Sequence, residues 1–212
     1  MTRPVIAVID YGIGNLHSAQ KSLEACGADA RLTSDPESIG SADGVVLPGV
    51  GAFGACMDAL RSRDLEAPTL EAVRSGRPFL GICVGMQMLF TSSQENPEAR
   101  GLDVIPGRVE WIPRTGDLKI PQMQWNRLDI VADDAGASDP MLTGLGDEAW
   151  LYFVHSLHGV PDDASMIAAT VEYGITVNAA FRNDNVFAAQ FHPEKSSRPG
   201  LALLTNFVEE CA

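Results

Sequence analysis

The chain has 212 residues, of which 45% are hydrophobic and 20% are charged, and this composition excludes a disordered or fibrous protein. Its length suits one substantial domain with its own core, and we predict a single domain over residues 1–212. The formal net charge of −13 argues against nucleic acid or an anionic membrane surface as a partner.

The first residues show no signal-peptide pattern, and no apolar stretch approaches the length of a membrane span. We therefore expect a cytoplasmic protein. The cysteines, at positions 26, 56, 83 and 211, show neither a C-x-x-C pair nor a zinc spacing. Disulfides and a structural metal are consequently not expected.

Strands and helices alternate up to residue 90, and this alternation predicts an open, mostly parallel sheet flanked by helices. We predict strands at residues 5–9, 28–32, 44–47 and 78–82. Helices are predicted at residues 16–26, 56–61, 65–75 and 86–90. Ligands of such sheets bind at the carboxyl ends of the strands, so the loops that follow the strands are the candidate site.

The loop after the first strand, residues 10–15, reads DYGIGN. Two glycines after a first strand are typical of dinucleotide-binding folds, but the third position of that fingerprint is His17 instead of glycine or alanine. We therefore set the dinucleotide interpretation aside. A functional loop that binds no phosphate and a plain tight turn both remain open.

The loop after the third strand carries Gly49 and Gly51 on either side of Val50. Such a backbone presents N–H groups, or flips a peptide, at little steric cost. A plain connection between a strand and a helix is the alternative interpretation of the same residues.

Cys83 follows a buried apolar run and has a glycine two residues to either side, Gly81 and Gly85. This is the G-x-S-x-G pattern of a nucleophile elbow, with sulfur in place of the hydroxyl. The sharp turn of an elbow strains the backbone of the nucleophile, and a Cβ at either glycine would crowd that turn. The thiol would also lie at a helix N-terminus, where the dipole favours the thiolate. A buried structural cysteine is the alternative.

The second half of the chain carries short strands separated by Gly, Pro, Asn and Asp, and we expect antiparallel additions to the parallel sheet. These strands are predicted at residues 102–105, 109–112, 123–130, 150–154, 166–171, 177–181 and 186–191. Residues 91–100 and 133–140 are predicted to be polar loops, residues 183–185 a hairpin loop, and residues 201–210 a closing helix.

The last predicted strand ends in His192, Pro193 and Glu194. Residues two apart in extended backbone point to the same side, so the carboxylate can orient the imidazole and stabilise its cation. Together with the cysteine elbow, this pair forms a candidate Cys-His-Glu triad made of Cys83, His192 and Glu194.

The elbow and the sequence QFHPE at residues 190–194 together resemble the class I, triad-type glutamine amidotransferases. Further motifs, which run nearly end to end, narrow the resemblance to the glutaminase subunits of imidazole glycerol phosphate synthases. They are DYGxGNL at residues 10–16, LPGVGAF at 47–53, PxMxWN at 121–126, YFVHS at 152–156 and HPEKS at 192–196. The resemblance implies one glutamine amidotransferase type 1 domain with an open, mostly parallel α/β sheet and antiparallel additions.

The resemblance also implies the chemistry. Cys83 would attack the side-chain carboxamide of glutamine to form a thioester. His192 would protonate the departing ammonia and then activate water, while Glu194 holds its ring. Backbone groups of Gly49, Val50 and Val84 would form the oxyanion hole.

Two further sets of residues follow from the resemblance. Gln87, Glu95 and Ser156 would bind the amino-acid end of glutamine, and a carboxylate at Glu95 suits an α-ammonium. Asn15, Trp125 and Tyr152 would face a partner. That partner would be a cyclase subunit with a (βα)₈ barrel, which receives the ammonia in a heterodimer for histidine biosynthesis, and no cofactor is implied.

The chain departs from the pattern of these subunits at four positions. Gln122 and Gln124 stand where histidine and glycine are usual, and Leu157 and His158 replace a pair of tyrosines. We expect these positions near the partner-facing surface or the rim of the substrate site.

Three alternatives remain. Another class I glutaminase, such as the subunit of pyridoxal phosphate synthase, would carry a Gly-Gly-Glu-Ser stretch where residues 49–52 read GVGA. A non-catalytic α/β binding module would not need an intact triad, and a peptidase would not need Gln87 and Glu95. A metal at His155 and His158 is rejected because no third ligand is in view, and ordinary polar contacts are expected for both and for His17.

Overall fold

The computed structural model describes residues 3–114, 116, 118–132, 136–146 and 149–212 of the chain. The strands are β1 (Val5–Ile9), β2 (Asp29–Thr33), β3 (Gly44–Gly49), β4 (Phe79–Cys83), β5 (Phe90–Ser93), β6 (Ile105–Trp111), β7 (Gln122–Arg127), β8 (Asp129–Ile130), β9 (Trp150–His155), β10 (Leu157–Pro161), β11 (Ile167–Glu172), β12 (Thr176–Asn183) and β13 (Val186–Ala189). The α-helices are α1 (Leu16–Ala25), α2 (Pro36–Ser41), α3 (Phe53–Ser62), α4 (Glu66–Arg74), α5 (Val84–Met88) and α6 (Ser197–Glu210). Short 3₁₀ helices lie at Pro140–Leu142, Ala164–Met166 and Pro193–Lys195.

The main sheet of the described residues has the strand order β2-β1-β3-β4-β13-β12-β11-β8. The pairs from β2 to β13 are parallel, and those from β13 to β8 are antiparallel. Strands β3, β4 and β13 are buried along their whole length, which is typical of parallel strands covered on both faces. The predicted α/β fold with antiparallel additions is confirmed, and its three most buried strands end side by side.

Two smaller sheets complete the described residues. One has the order β10-β6-β5, and the other pairs β7 with β9 as an antiparallel ribbon. The ribbon faces the core with Leu151 and Phe153, both fully buried, and exposes Trp125 and Trp150 on its other side. The ribbon is therefore amphipathic, with an aromatic outer face.

The region that follows the elbow differs from the prediction. The helix predicted at residues 86–90 instead spans Val84–Met88, and Phe90 already belongs to β5. Phe90 is fully buried and packs edge to face on Phe181 at a centroid distance of 5.2 Å, so tertiary packing outweighs the local helical pattern. The strands predicted at 102–105 and 109–112 are replaced by the single strand β6.

Besides the short 3₁₀ helices and β5, whose residues 91–93 were predicted as part of a polar loop, α2 and β10 also lie outside the sequence-based prediction. Helix α2 begins at Pro36, and the Asp35 side chain accepts a hydrogen bond from Ser38 N–H, so a cap and a first-position proline were both present in the sequence. Strand β10 was also not predicted. Residues 133–135 of the loop predicted at 133–140 lie outside the described residues. None of the described α-helices is long and apolar enough to cross a membrane.

Candidate active site

The cysteine elbow lies at the junction of β4 and α5. Cys83 has φ 55° and ψ −115°, a positive-φ conformation that is strained for a residue with a side chain. A Cβ at Gly85 would lie 1.9 Å from the carbonyl oxygen of Leu47, and one at Gly81 would lie 2.8 Å from Leu89 Cδ1. The glycines are therefore required by close packing on both sides of the nucleophile, as the sequence predicts.

Strand β3 brings its loop directly against the elbow. Gly49 is the register partner of Cys83, and a Cβ on Gly49 would lie 2.5 Å from Gly85 N and 2.9 Å from the Tyr11 hydroxyl. Val50, the next residue, lines the same cavity as Cys83 and Val84. Its N–H makes no hydrogen bond to another part of the described chain. The predicted oxyanion residues thus lie next to the sulfur, and the Val50 N–H has no hydrogen-bond partner among the described residues.

The histidine and the carboxylate are in contact. His192 Nδ1 lies 2.8 Å from Glu194 Oε1, and neither side chain is more than 3% exposed. The expectation of extended backbone at this point is wrong, because residues Pro193–Lys195 form a 3₁₀ helix and His192 is its N-cap. The turn is nevertheless tight enough to bring the carboxylate back onto the ring.

The electrostatics of His192 favour its cation. Burial disfavours the imidazolium, but a hydrogen bond with Cys83, a second with Glu194, and the charges of both groups outweigh it. Together they raise the pKa of His192 to about 9. Since Nδ1 is hydrogen-bonded to Glu194, Nε2 is the ring nitrogen available for the hydrogen bond with Cys83. The His192 ring can therefore carry, at neutral pH, the proton that a leaving nitrogen needs.

Asn15 also contacts the triad. Its Nδ2 donates to Glu194 Oε1 at 3.2 Å, whereas Glu194 Oε2 is buried without a hydrogen-bond partner among the described residues. The sequence predicts Asn15 only as a partner-facing residue, and the structure brings it to the carboxylate that holds the histidine.

A cavity of about 340 Å³ opens over Cys83. All three residues predicted to bind substrate, Gln87, Glu95 and Ser156, line it. Glu95 is also engaged in the fold, since its Oε2 accepts a hydrogen bond of 2.7 Å from Phe53 N–H at the start of α3. The other lining residues are Val50, Gly51, Val84, Trp111, Pro121, Val154, His155, Leu157, His192 and Lys195.

A buried amide connects this cavity to the nucleophile. Gln190 is fully buried, and its Oε1 accepts a hydrogen bond of 3.0 Å from Gln87 Nε2. Its own Nε2 donates toward Cys83 Sγ at 3.8 Å. The sequence alone assigned Gln190 no role, although its position two residues before the histidine was a usable signal.

His155 makes the ordinary polar contacts that we expected. Its Nδ1 lies 2.7 Å from Leu157 O and its Nε2 lies 3.0 Å from Gln122 Oε1. Burial lowers its pKa to about 4, so the ring is neutral. Of the four departures, Gln124 is exposed, whereas Gln122, Leu157 and His158 are buried and so do not form part of a partner-facing surface. Leu157 lines the cavity over Cys83, which agrees with the expected position at the substrate site.

The ribbon of β7 and β9 is tied to the histidine by backbone bonds. His192 N–H donates to Tyr152 O at 3.0 Å, and the Ser196 hydroxyl bridges Tyr152 N–H and His192 O. On the outer face, the Trp125 ring lies 6.1 Å from that of Tyr152. Two of the predicted partner-facing residues are thus in contact with each other, and one lies against the triad.

A larger recess, of about 710 Å³, lies beside Lys119, Met123 and Tyr173 and contains none of the predicted site residues. The described part of the chain holds no group of three or more His, Cys, Asp or Glu side chains arranged to bind a metal.

The chain is similar to known proteins over nearly its whole length. Residues 7–211 match the glutamine amidotransferase class-I family. The chain is 50% identical over 210 residues to the imidazole glycerol phosphate synthase subunit HisH of Synechococcus elongatus, covering 99% of this chain and 94% of that one. It is also 50% identical to the subunit of that name in Syntrophotalea carbinolica, covering 96% of this chain and 98% of that one.

Solved structures share the fold at lower identity. PurLQS from Thermotoga maritima aligns with a TM-score of 0.75 at 18% identity, over 98% of this chain and 99% of that one. A putative GMP synthase protein from Thermoplasma acidophilum aligns with a TM-score of 0.71 at 22% identity, over 100% of this chain and 95% of that one.

Proposed function

The chain belongs to the class I glutamine amidotransferases, and we propose that the cavity over Cys83 is where it hydrolyses glutamine. It is a glutaminase subunit of imidazole glycerol phosphate synthase, an enzyme of histidine biosynthesis. The observation that carries the site proposal is the contact of Cys83, His192 and Glu194 at the carboxyl ends of β4 and β13.

The reaction begins with the sulfur. The Cys83 thiolate attacks the side-chain carbonyl carbon of glutamine, and a tetrahedral intermediate forms. The C–N bond then breaks as the His192 imidazolium donates its proton to the leaving nitrogen, so that ammonia departs and a thioester remains. Neutral His192 next removes a proton from water, the hydroxide attacks the thioester, and glutamate leaves as the sulfur is released.

Glu194 serves this cycle by holding the ring. Its contact with Nδ1 fixes the tautomer in which Nε2 exchanges protons with the reacting groups, and its charge stabilises the imidazolium. The bond from Asn15 leaves Glu194 Oε1 with two donors, which restrains the carboxylate in that position.

The oxyanion of the intermediate requires N–H donors next to the sulfur. Val50 and Val84 are proposed as these donors, with Gly49 allowing the close approach of the two loops. The support is that Val50 N–H makes no hydrogen bond to another part of the described chain and that Gly49 is in register with Cys83. One such donor typically changes the rate by about 10²–10³.

The amino-acid end of glutamine is assigned to three other residues that line the cavity, Gln87, Glu95 and Ser156. Glu95 Oε1 makes no hydrogen bond within the described residues, so it can accept from the α-ammonium while Oε2 holds α3. Gln87 is oriented by Gln190, and Ser156 lines the same cavity from the position between β9 and β10. These three contacts suit a free amino acid better than a peptide.

The relatives are named as subunits, and a partner subunit is therefore expected here. We propose a cyclase with a (βα)₈ barrel, which docks at Asn15, Trp125 and Tyr152 and receives the ammonia. The exposed aromatic face of the β7–β9 ribbon supports this placement, because it is apolar and adjoins the triad. The proposal also includes one amidotransferase domain over residues 1–212 in the cytoplasm, where the four free thiols would stay reduced.

The experiment that tests the site is Cys83→Ala in the complex with the partner. Glutamate production should fall to background, since the covalent route is removed, while the thermal unfolding temperature and partner binding stay unchanged. The matched control is Cys26→Ala, which removes a half-exposed thiol outside the site. Residual hydrolysis near the wild-type rate would reject Cys83 as the nucleophile.

A further inference from the structure

Two buried side chains that the proposed mechanism does not use hold the loop after β3. The Tyr11 hydroxyl donates to the carbonyl of Pro48 at 2.7 Å. The Cys56 thiol donates to the carbonyl of Val50 at 3.3 Å. Both residues are fully buried, and they come from different parts of the chain, the loop after β1 and helix α3.

Both groups are fixed as donors at neutral pH. Burial raises the pKa of the Tyr11 phenol well above its ordinary range, and the nearby thiols of Cys56 and Cys83 raise it further. Burial likewise raises the pKa of the Cys56 thiol, although hydrogen bonds with Tyr11 and with Val50 O oppose that shift. Each side chain therefore keeps the proton with which it holds its carbonyl.

The two carbonyls belong to the peptides on either side of the Gly49–Val50 peptide. The hydrogen bonds from Tyr11 and Cys56 restrain the peptides before and after it, so the Gly49–Val50 peptide is the one that remains free to rotate. Its N–H has no hydrogen bond to another part of the described chain, and Gly51 follows with φ 89°, in the region open to glycine. The Tyr11 hydroxyl would lie 2.9 Å from a Cβ built on Gly49, so Tyr11 also packs closely against that glycine.

We propose that Tyr11 and Cys56 are positioning residues for the oxyanion hole, which clamp the carbonyls of Pro48 and Val50 so that only the Gly49–Val50 peptide turns toward the reacting carbonyl. The inference rests on the proposed role of Gly49 and Val50 and adds the two side chains that set the pivot. It also gives a role to Tyr11 within the DYGIGN loop, for which the sequence alone left a functional loop and a plain turn both open.

The test uses the complex with its partner subunit and measures glutamate production over a range of glutamine concentrations. Tyr11→Phe and Cys56→Ala each remove one donor, and each should lower kcat about tenfold or more while KM for glutamine stays within about twofold, since an oxyanion donor acts in the transition state. Cys56→Ser keeps a hydroxyl donor and should retain most of the turnover. Cys211→Ala and Tyr173→Phe are controls that remove a buried thiol and a phenol–carbonyl bond elsewhere.

A second readout separates positioning from general damage. Iodoacetamide alkylates Cys83 by displacement at a methylene carbon, a reaction that needs no oxyanion donor, so its rate at the Cys83 peptide should be unchanged in all variants. Inhibition by the γ-aldehyde analogue of glutamine, which forms a thiohemiacetal, should weaken by the same factor as kcat.

Unchanged kcat in both Tyr11→Phe and Cys56→Ala would overturn the clamp. So would a parallel fall in alkylation, or a Cys56→Ser variant as slow as Cys56→Ala. The Cys83→Ala result decides the proposed function separately, because that variant leaves both clamps in place. If Tyr11→Phe does not fold, the comparison of Cys56→Ala with Cys56→Ser decides the matter alone.

Discussion

Glu194→Gln is a perturbation whose effect can be worked out from the geometry of the triad. The amide keeps the size of the carboxylate, and its oxygen can still accept from His192 Nδ1 and from Asn15 Nδ2. Its NH₂ group replaces Glu194 Oε2, which is buried without a partner among the described residues. The substitution therefore removes the negative charge while the ring remains held.

The magnitude follows from the pKa of His192, which is raised to about 9. Against an ordinary value of about 6.5, this is a bias toward the imidazolium of about 3 kcal/mol. Burial opposes the cation, and the charges of Cys83 and Glu194 together overcome it. In Glu194→Gln only the interaction with Cys83 still opposes the effect of burial, and we expect the pKa of His192 to fall by about one to two pH units.

The sign of the pH effect is set by this raised pKa. The imidazolium is present below about pH 9 and is lost above it, so turnover of the wild type should decline as the pH rises through about 9. The stability that this pair contributes is likewise complete below the unfolded pKa of about 6.5 and is lost as the pH rises through the folded value. In Glu194→Gln this decline of turnover at high pH should begin at a lower pH than in the wild type.

The assay is steady-state glutamate production by the complex over about pH 6 to 10. At about pH 8 we expect kcat to fall by about 10²–10⁴, and KM for glutamine to change by less than about threefold, because Glu194 does not line the cavity. Glu209→Gln, at an exposed position on α6, is the control. If Glu194→Gln kept the turnover of the wild type and its decline at the same pH, another group would set the protonation of His192.

Two further predictions concern packing and coupling. Gly85→Ala places a Cβ 1.9 Å from Leu47 O, and it should lower the free energy of unfolding by more than about 3 kcal/mol in urea titrations, whereas Gly40→Ala, with open space around it, should be tolerated. Glutamate production should be measured for the chain alone, with the proposed cyclase partner, and with the partner plus the partner's nucleotide substrate. The chain alone should hydrolyse glutamine poorly, and the partner with its nucleotide substrate should raise the rate by about 10²–10³, the effect of one oxyanion donor. Trp125→Ala should weaken this activation, and equal rates in the three conditions would indicate a constitutive glutaminase.

Local sequence patterns were sufficient for the elbow and for the histidine–carboxylate pair. In each case the chemistry lies within a few residues, and the glycines and the proline mark the turns. Even there, the reason given for the contact of His192 with Glu194 was wrong, since a 3₁₀ helix rather than extended backbone makes it. A motif can therefore identify a contact without identifying the backbone that produces it.

The contacts that sequence reasoning missed are those between distant segments. Tyr11 reaches Pro48, and Gln190 reaches Gln87 and Cys83, only because β1, β3, β4 and β13 are neighbours in the sheet. No local periodicity encodes those pairings. Phe90 was misassigned for the same reason, because its partner Phe181 lies on a strand that follows much later in the chain.

The adjacency of β4 and β13 has a consequence for how the protein is made. Gln190, at the end of β13, contacts Cys83 although 107 positions separate them along the chain. During synthesis, Cys83 is therefore added to the chain long before His192. A stalled or clipped nascent chain carries a cysteine with no imidazole beside it and releases no ammonia. Glutamine hydrolysis at this site therefore requires that the chain be made at least as far as Glu194 and that β13 be paired with β4.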